Sequence, residues 1–228
     1  MSKVPPNAAR IFDRLEKYYG KLKPVTPLDP YEMVVYANCG YPANDATCSK
    51  GFAALRKNVG VRPEQILAAS QKELTAILRL GGIVPELRAT RLKEIAARMQ
   101  NKHGGDLAGA LRGPLAEAKK ALKGFPTIGD PGAEKILLFT RTVPVAAVPS
   151  NCVHVPLRLG FGVAHQSYAK DYRAAQEAIR AVVPEDCDAL LRAYLLLQKH
   201  GQELCKRSRP RCPECPVSAD CRYFQSTH

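Results

Sequence analysis

The chain has 228 residues, 46% hydrophobic and 24% charged, a globular balance that excludes a disordered tail, a collagen and a low-complexity linker. Lys and Arg number 34 against 21 Asp and Glu, a formal charge of +13, which favours a polyanionic partner. Apolar runs break at Pro, Arg or Lys well short of the roughly 18 residues of a membrane span, and the segment before Arg10 has no apolar core, so neither a transmembrane helix nor a secretory leader is expected.

In chain order the pattern is helical throughout. Asn7 is placed to cap an amphipathic helix over residues 7–20, and Lys23 to Pro27 reads as a linker. A second helix runs from Pro30 towards Ala37 and is expected to break at Asn38-Cys39-Gly40-Tyr41-Pro42. Helices follow from Ala46 to Asn58 and from Arg62 to Ser70, the latter with Pro63 in its first turn. Others span about 71–80, 87–102, 114–123, 131–141, 149–160, 168–181 and 186–200. The stretch from Val143 to Pro149 is extended but carries two prolines, which suits a buried connector better than a strand. The expected class is all-α, in two lobes. Core stripes run along Leu190, Leu191, Tyr194, Leu195 and Leu197, and along Ile136 to Phe139.

The 8 cysteines are unevenly spread. Cys39, Cys48, Cys152 and Cys187 are scattered, whereas Cys205, Cys212, Cys215 and Cys221 crowd one short tail. Without a leader, a reducing intracellular site (cytoplasmic or nucleoid-associated) is expected, where clustered cysteines read as metal ligands rather than disulfides. Pro210, Pro213 and Pro216 oppose helix and favour a wrap around one centre. Four thiolates suit tetrahedral zinc or an iron–sulfur cube, and the spacing does not choose between them.

The tail Cys205-x6-Cys212-x2-Cys215-x5-Cys221, preceded by His200-Gly201, resembles the [4Fe–4S] loop of endonuclease III-like helix–hairpin–helix (HhH-GPD) DNA glycosylases. Phe125-Pro126-Thr127-Ile128-Gly129-Asp130-Pro131-Gly132-Ala133 is similar to that family's hairpin, and Val153-His154-Val155-Pro156-Leu157-Arg158-Leu159 to its Asp-Thr-His-Val-x-Arg-Val segment. Gly81-Gly82 with Arg88-Ala89, and Asp45-x4-Lys50, resemble further family segments. The resemblance implies a six-helix barrel lobe over 28–144, with the hairpin at about 114–141. A second helical lobe would take 1–27 and 145–228 and carry the cluster loop 205–221. It implies a [4Fe–4S] cofactor on the four tail cysteines and double-stranded DNA as partner, with no membrane role. Thr127, Ile128, Gly129 and Gly132 of the hairpin, and Lys206, Arg207, Arg209 and Arg211 of the loop, would then meet the phosphates.

The resemblance fails at the reacting groups. The family's Schiff-base Lys, the amine that covalent chemistry at C1′ requires, falls on Pro131. The charge-stabilising Asp falls on Val153, and Ser150 to Pro156 contains no carboxylate. The Gln that fills the hole left by a flipped base falls on Pro42. No catalytic residue is therefore expected at the family positions. Asp130 reads as the cap of the hairpin's second helix, with Pro131 at its first position and a carboxylate that competes with phosphate for the free amides. Thr127 replaces a hairpin Gly, which suggests a looser turn. Lys135 is the amine one turn along the same helix. His154 reads as packed or capping, Cys152 as a buried thiol and His200 as a support for the tail. Three functions are open: a DNA-binding protein without the family's catalysis, an N-glycosylase with relocated residues and no lyase step, and an iron–sulfur redox or sensor protein.

Overall fold

The computed structural model describes residues 7–40 and 45–227. The leader reading of the first six residues, the break at Tyr41-Pro42 and the Gln position at Pro42 lie outside them. Among the described residues there are helices, turns and loops and no strand, an all-α fold. No helix there is long and apolar enough to cross a membrane.

Residues 24–142 form one unit. Its helices are α2 (Pro30–Gly40), α3 (Asp45–Asn58), α4 (Pro63–Ala68), α5 (Gln71–Leu78), α6 (Pro85–His103), α7 (Leu107–Ala110), α8 (Leu115–Lys123) and α9 (Asp130–Phe139). Local signals set their ends. Pro63 and Pro85 occupy first turns, the Ser70 hydroxyl accepts from the Glu73 amide at 3.1 Å, and Gly104 ends α6 in the left-handed region. Leu55, Ile66, Leu74, Leu78, Leu92 and Ile95 are fully buried, each contributing roughly 1.5–3 kcal/mol of apolar transfer.

The sequence break at Asn38 does not occur, and α2 stays helical through Gly40. Asn38 is buried and its side chain has three partners. Its amide donates to Val34 O at 3.0 Å and to Pro126 O at 3.2 Å, and its Oδ1 accepts from Thr127 Oγ1 at 3.1 Å. An amide satisfied in this way does not compete with its own helix.

Beside it, the turn after α5 packs so tightly that a Cβ on Gly81 would overlap the Cys39 carbonyl. Arg88, 1% exposed, locks that approach by donating to Gly81 O at 2.5 Å and to Gly40 O at 3.2 Å.

Residues 1–23 and 143–228 form the other unit. It holds α1 (Ala8–Tyr19), α10 (His154–Leu159), α11 (Tyr168–Val182), α12 (Cys187–Glu203) and α13 (Arg222–Thr227). Asn7 caps α1 by accepting from the Arg10 amide at 3.0 Å, and Asp186 caps α12 by accepting from Ala189 N at 2.8 Å. The amphipathic faces meet as the stripes require: Ile11, Phe12 and Leu15 of α1 are buried, as are Leu190, Leu191, Tyr194, Leu195 and Leu197 of α12. The connector Val145–Val148 is buried, with neither helix nor strand. The helix expected over 149–160 is instead a 3-10 turn, Ser150–Cys152, followed by the short α10, which Gly160 ends at φ +94°.

Arg88→Met would keep the bulk of the side chain and strip two buried carbonyls of their donor. At about 1–3 kcal/mol for each orphaned group, the urea midpoint should fall by the equivalent of about 2–6 kcal/mol. Far-UV circular dichroism through a urea titration measures it.

Candidate functional site

The four tail cysteines line one small pocket, walled also by Leu159, Leu204, Pro210 and Phe224. Pro213 does not abolish helical geometry: Cys212–Glu214 and Ser218–Asp220 are single 3-10 turns that swing Cys215 and Cys221 back towards the hollow. Among the described residues no three His, Cys, Asp or Glu side chains close on one metal ion, as tetrahedral zinc with bonds near 2.3 Å would demand.

Burial opposes ionisation of three of these thiols. Burial pushes the Cys215 thiol up to about 11, with Cys221, Cys205 and Cys212 adding repulsion. Burial also raises Cys205 and Cys221.

Side chains from distant helices pin this segment. Arg158 of α10 donates to Lys206 O at 2.8 Å and to Arg207 O at 2.7 Å, lies 3.7 Å from Cys205 Sγ, and stacks 4.7 Å above the Tyr223 ring. His154 Nε2 is 2.8 Å from Cys205 O, a partner that matches the packed reading. His200 Nε2 is 3.6 Å from Cys215 Sγ, and burial pushes this imidazole down to about 4 and keeps it neutral. From α1, Arg10 and Arg14 both pair with Asp220, the latter at 2.8 Å. Lys206, Arg207, Arg209 and Arg211 are all exposed on the segment so held, although Arg211 also makes a two-pronged pair with Glu214.

The hairpin departs from its sequence reading. Gly129, not Asp130, is the N-cap residue of α9, and Asp130 is already helical. Its carboxylate does not cap the helix amides. It pairs with Lys123 at 3.0 Å and with Lys119 at 3.1 Å, both on α8, and these bonds hold it below the usual carboxylate range. The reason is geometric: the α8–α9 turn brings two lysines beside the first turn of α9, and a full positive charge outcompetes a neutral amide. Lys119 also reaches the buried Glu134 at 2.5 Å. Thr127 takes the left-handed φ of +66° that its family counterpart would reach as Gly, which costs a non-glycine residue roughly 1–2 kcal/mol, offset in part by its bond to Asn38. Thr127 and Gly129 are exposed, Ile128 is buried and Gly132 is half-buried.

The positions that replace the family's reacting groups are occupied in a particular way. Val153 is 3% exposed and packs with Val148, Tyr172, Ala175 and Leu157, so the site is apolar core. Pro131 stands in the first turn of α9 and removes one of its free amides. Lys135 is turned to Asp45 at 3.8 Å and to the Phe139 ring at 5.2 Å. Cys152 is buried, with its thiol raised to about 11 by burial, and is an unreactive packing residue.

No protein-family model matches the chain. In sequence it is similar to a thymine-DNA glycosylase of Aeropyrum pernix, 27% identical over 165 residues, 72% of this chain and 70% of that protein. It is 25% identical to an endonuclease III of Treponema pallidum over 173 residues, 76% of this chain and 74% of that one. It is also 26% identical to Transcriptional activator DEMETER of Arabidopsis thaliana over 177 residues, which span 9% of that protein. A solved non-covalent endonuclease III–DNA complex matches it with a TM-score of 0.76, covering 96% of this chain and 95% of that chain at 20% identity. The fold is that of the endonuclease III-like helix–hairpin–helix glycosylases, and the resemblance read in the sequence is borne out.

Because Val153 is core, Val153→Asp should destabilise the protein by about 3–5 kcal/mol at neutral pH, the cost of an unpaired buried charge. Burial would raise the new carboxyl above its unfolded value of about 3.9, so the folded state holds the proton longer and the deficit grows as pH rises from about 4 to 7. Urea unfolding of both proteins at the two pH values reads the difference.

Proposed function

We propose that the chain is a duplex-DNA-binding iron–sulfur protein of the endonuclease III type that does not use the Lys- and Asp-dependent chemistry of that group. The observation that carries this reading is the hollow lined by Cys205, Cys212, Cys215 and Cys221, bordered by a pinned segment that exposes four cations. A bound [4Fe–4S] cluster would supply a four-point covalent tie, and the chain's own residues do the rest. Arg158 and His154 hold the backbone of Cys205 to Arg207 in place. Lys206, Arg207 and Arg209 then meet phosphates from an ordered backbone, which lowers the entropy lost on binding. The likeness to proteins named thymine-DNA glycosylase and endonuclease III supports DNA as the partner.

Loss of the standard chemistry is argued from residues. Pro131 offers no amine for attack at C1′ and Val153 no carboxylate for the developing charge. The hairpin's first turn carries Asp130. Its carboxylate stands beside the free amides and engages Lys119 and Lys123, two cations that a phosphate would otherwise meet. The named glycosylases among the relatives favour a second reading, base release by other residues without a lyase step.

Three experiments test this. Duplex binding should weaken steeply with salt, and Arg207→Ala with Arg209→Ala should flatten the log–log salt slope by about one unit per lost phosphate contact. No binding at low salt with the cluster intact favours the redox reading. Protein prepared without oxygen should be brown with four irons per chain, as the cube requires. On a panel of lesion and abasic duplexes with borohydride it should form no covalent adduct and release no base. Robust release overturns the pseudoenzyme reading, and an adduct mapped to Lys135 shows a displaced amine.

A further inference from the structure

His200 sits in the last turn of α12 and is 1% exposed. Its two ring nitrogens face two different groups. Nδ1 is 3.0 Å from the Tyr19 hydroxyl at the end of α1, and Nε2 is 3.6 Å from Cys215 Sγ. The Tyr19 ring is itself held, edge-on to Tyr18 at 4.9 Å and edge-on to His200 at 6.0 Å. The His200 carbonyl accepts from the amides of Leu204 and Cys205, at 3.0 and 2.8 Å, so the residue is also fixed to the backbone that leads into the first cysteine.

A neutral imidazole has one donor and one acceptor nitrogen. Two arrangements satisfy the distances. In one, the Tyr19 O–H donates to Nδ1 and the Nε2–H donates to sulfur. In the other, Nδ1–H donates to Tyr19 and a nitrogen lone pair faces sulfur. A metal-bound cysteine is a thiolate with no proton to give. Lone pair against thiolate is repulsive, so the first arrangement is selected once Cys215 is a ligand.

On the reading that these cysteines hold a cluster, we infer that Tyr19 and His200 form a hydrogen-bond relay that positions Cys215 and raises the cluster's reduction potential. They are positioning residues: neither is a ligand. A donor to a ligand sulfur stabilises the additional negative charge of the more reduced state, and cluster potentials follow such bonds. Partners beyond the ligands also set retention, and losing one typically costs about 10–100-fold in metal affinity. By donating to Nδ1, the Tyr19 hydroxyl supports the tautomer whose proton faces sulfur.

The test uses whole, cluster-loaded protein. With 15N-histidine and the cluster poised in its paramagnetic state, pulsed EPR should show coupling to one histidine nitrogen. That coupling should vanish in His200→Leu, which separates it from His154, whose Nε2 faces the Cys205 carbonyl instead. Tyr19→Phe keeps the ring and removes only the hydroxyl. It should lower the midpoint potential and speed cluster loss to an iron chelator about tenfold. A brown wild-type protein without histidine coupling overturns the relay. So does a Tyr19→Phe protein whose potential and retention are unchanged. Colourless protein with stoichiometric zinc overturns the cluster reading beneath it, and its missing visible absorption distinguishes that failure from the others.

Discussion

The convergence of four sulfurs from a short, proline-rich segment is the constraint on which this unit's organisation turns. Buried thiols repel as they ionise, and a segment made only of turns has little hydrogen bonding of its own to resist that repulsion. Its side-chain anchors come mostly from elsewhere: Arg158 and His154 from α10, His200 from α12, Arg10 and Arg14 from α1. These pins act on the backbone and on Asp220 more than on the sulfurs. The segment is thus shaped by contacts of the protein itself, and its exposed cations inherit that order.

The same logic explains which features were legible in the sequence. Cysteine spacing is a local signal, so the four candidate ligands could be read directly. So could most helices, because Asn7, Ser70, Asp186 and the first-turn prolines act within three or four residues of themselves. Asn38 was misread because asparagine usually breaks a helix. Its bonds to Pro126 and Thr127 lie 88 and 89 residues away, and no local rule anticipates them. Asp130 was misread for a related reason: its cap role is local, but its lysines sit 7 and 11 residues back, and they meet it only after the α8–α9 turn has formed. His200 was legible as a support, whereas its partner Tyr19, 181 residues away, was not.

Thr127 and Asn38 together illustrate how a strained hairpin is kept. A threonine at φ +66° is disfavoured by itself. The buried amide of Asn38 takes the threonine hydroxyl on one side and the neighbouring carbonyl on the other, so the turn is fixed by a side chain rather than by glycine freedom. The result is a hairpin whose shape is preserved while its anion-binding chemistry is altered, since Pro131 deletes an amide and Asp130 adds a charge that two lysines must answer.

That separation of shape from chemistry bears on what was lost. A single missing nucleophile is easily regained, because Lys differs from its neighbours only in one side chain. Val153 is different in kind. It packs with Val148, Tyr172, Ala175 and Leu157, and a carboxylate there would have to be desolvated inside an apolar cluster. Return to the family's chemistry would require rebuilding that cluster as well as replacing Pro131. The cysteine hollow and the basic segment carry no such conflict with the core. The four cations of that segment are exposed, whereas position 153 is given to packing.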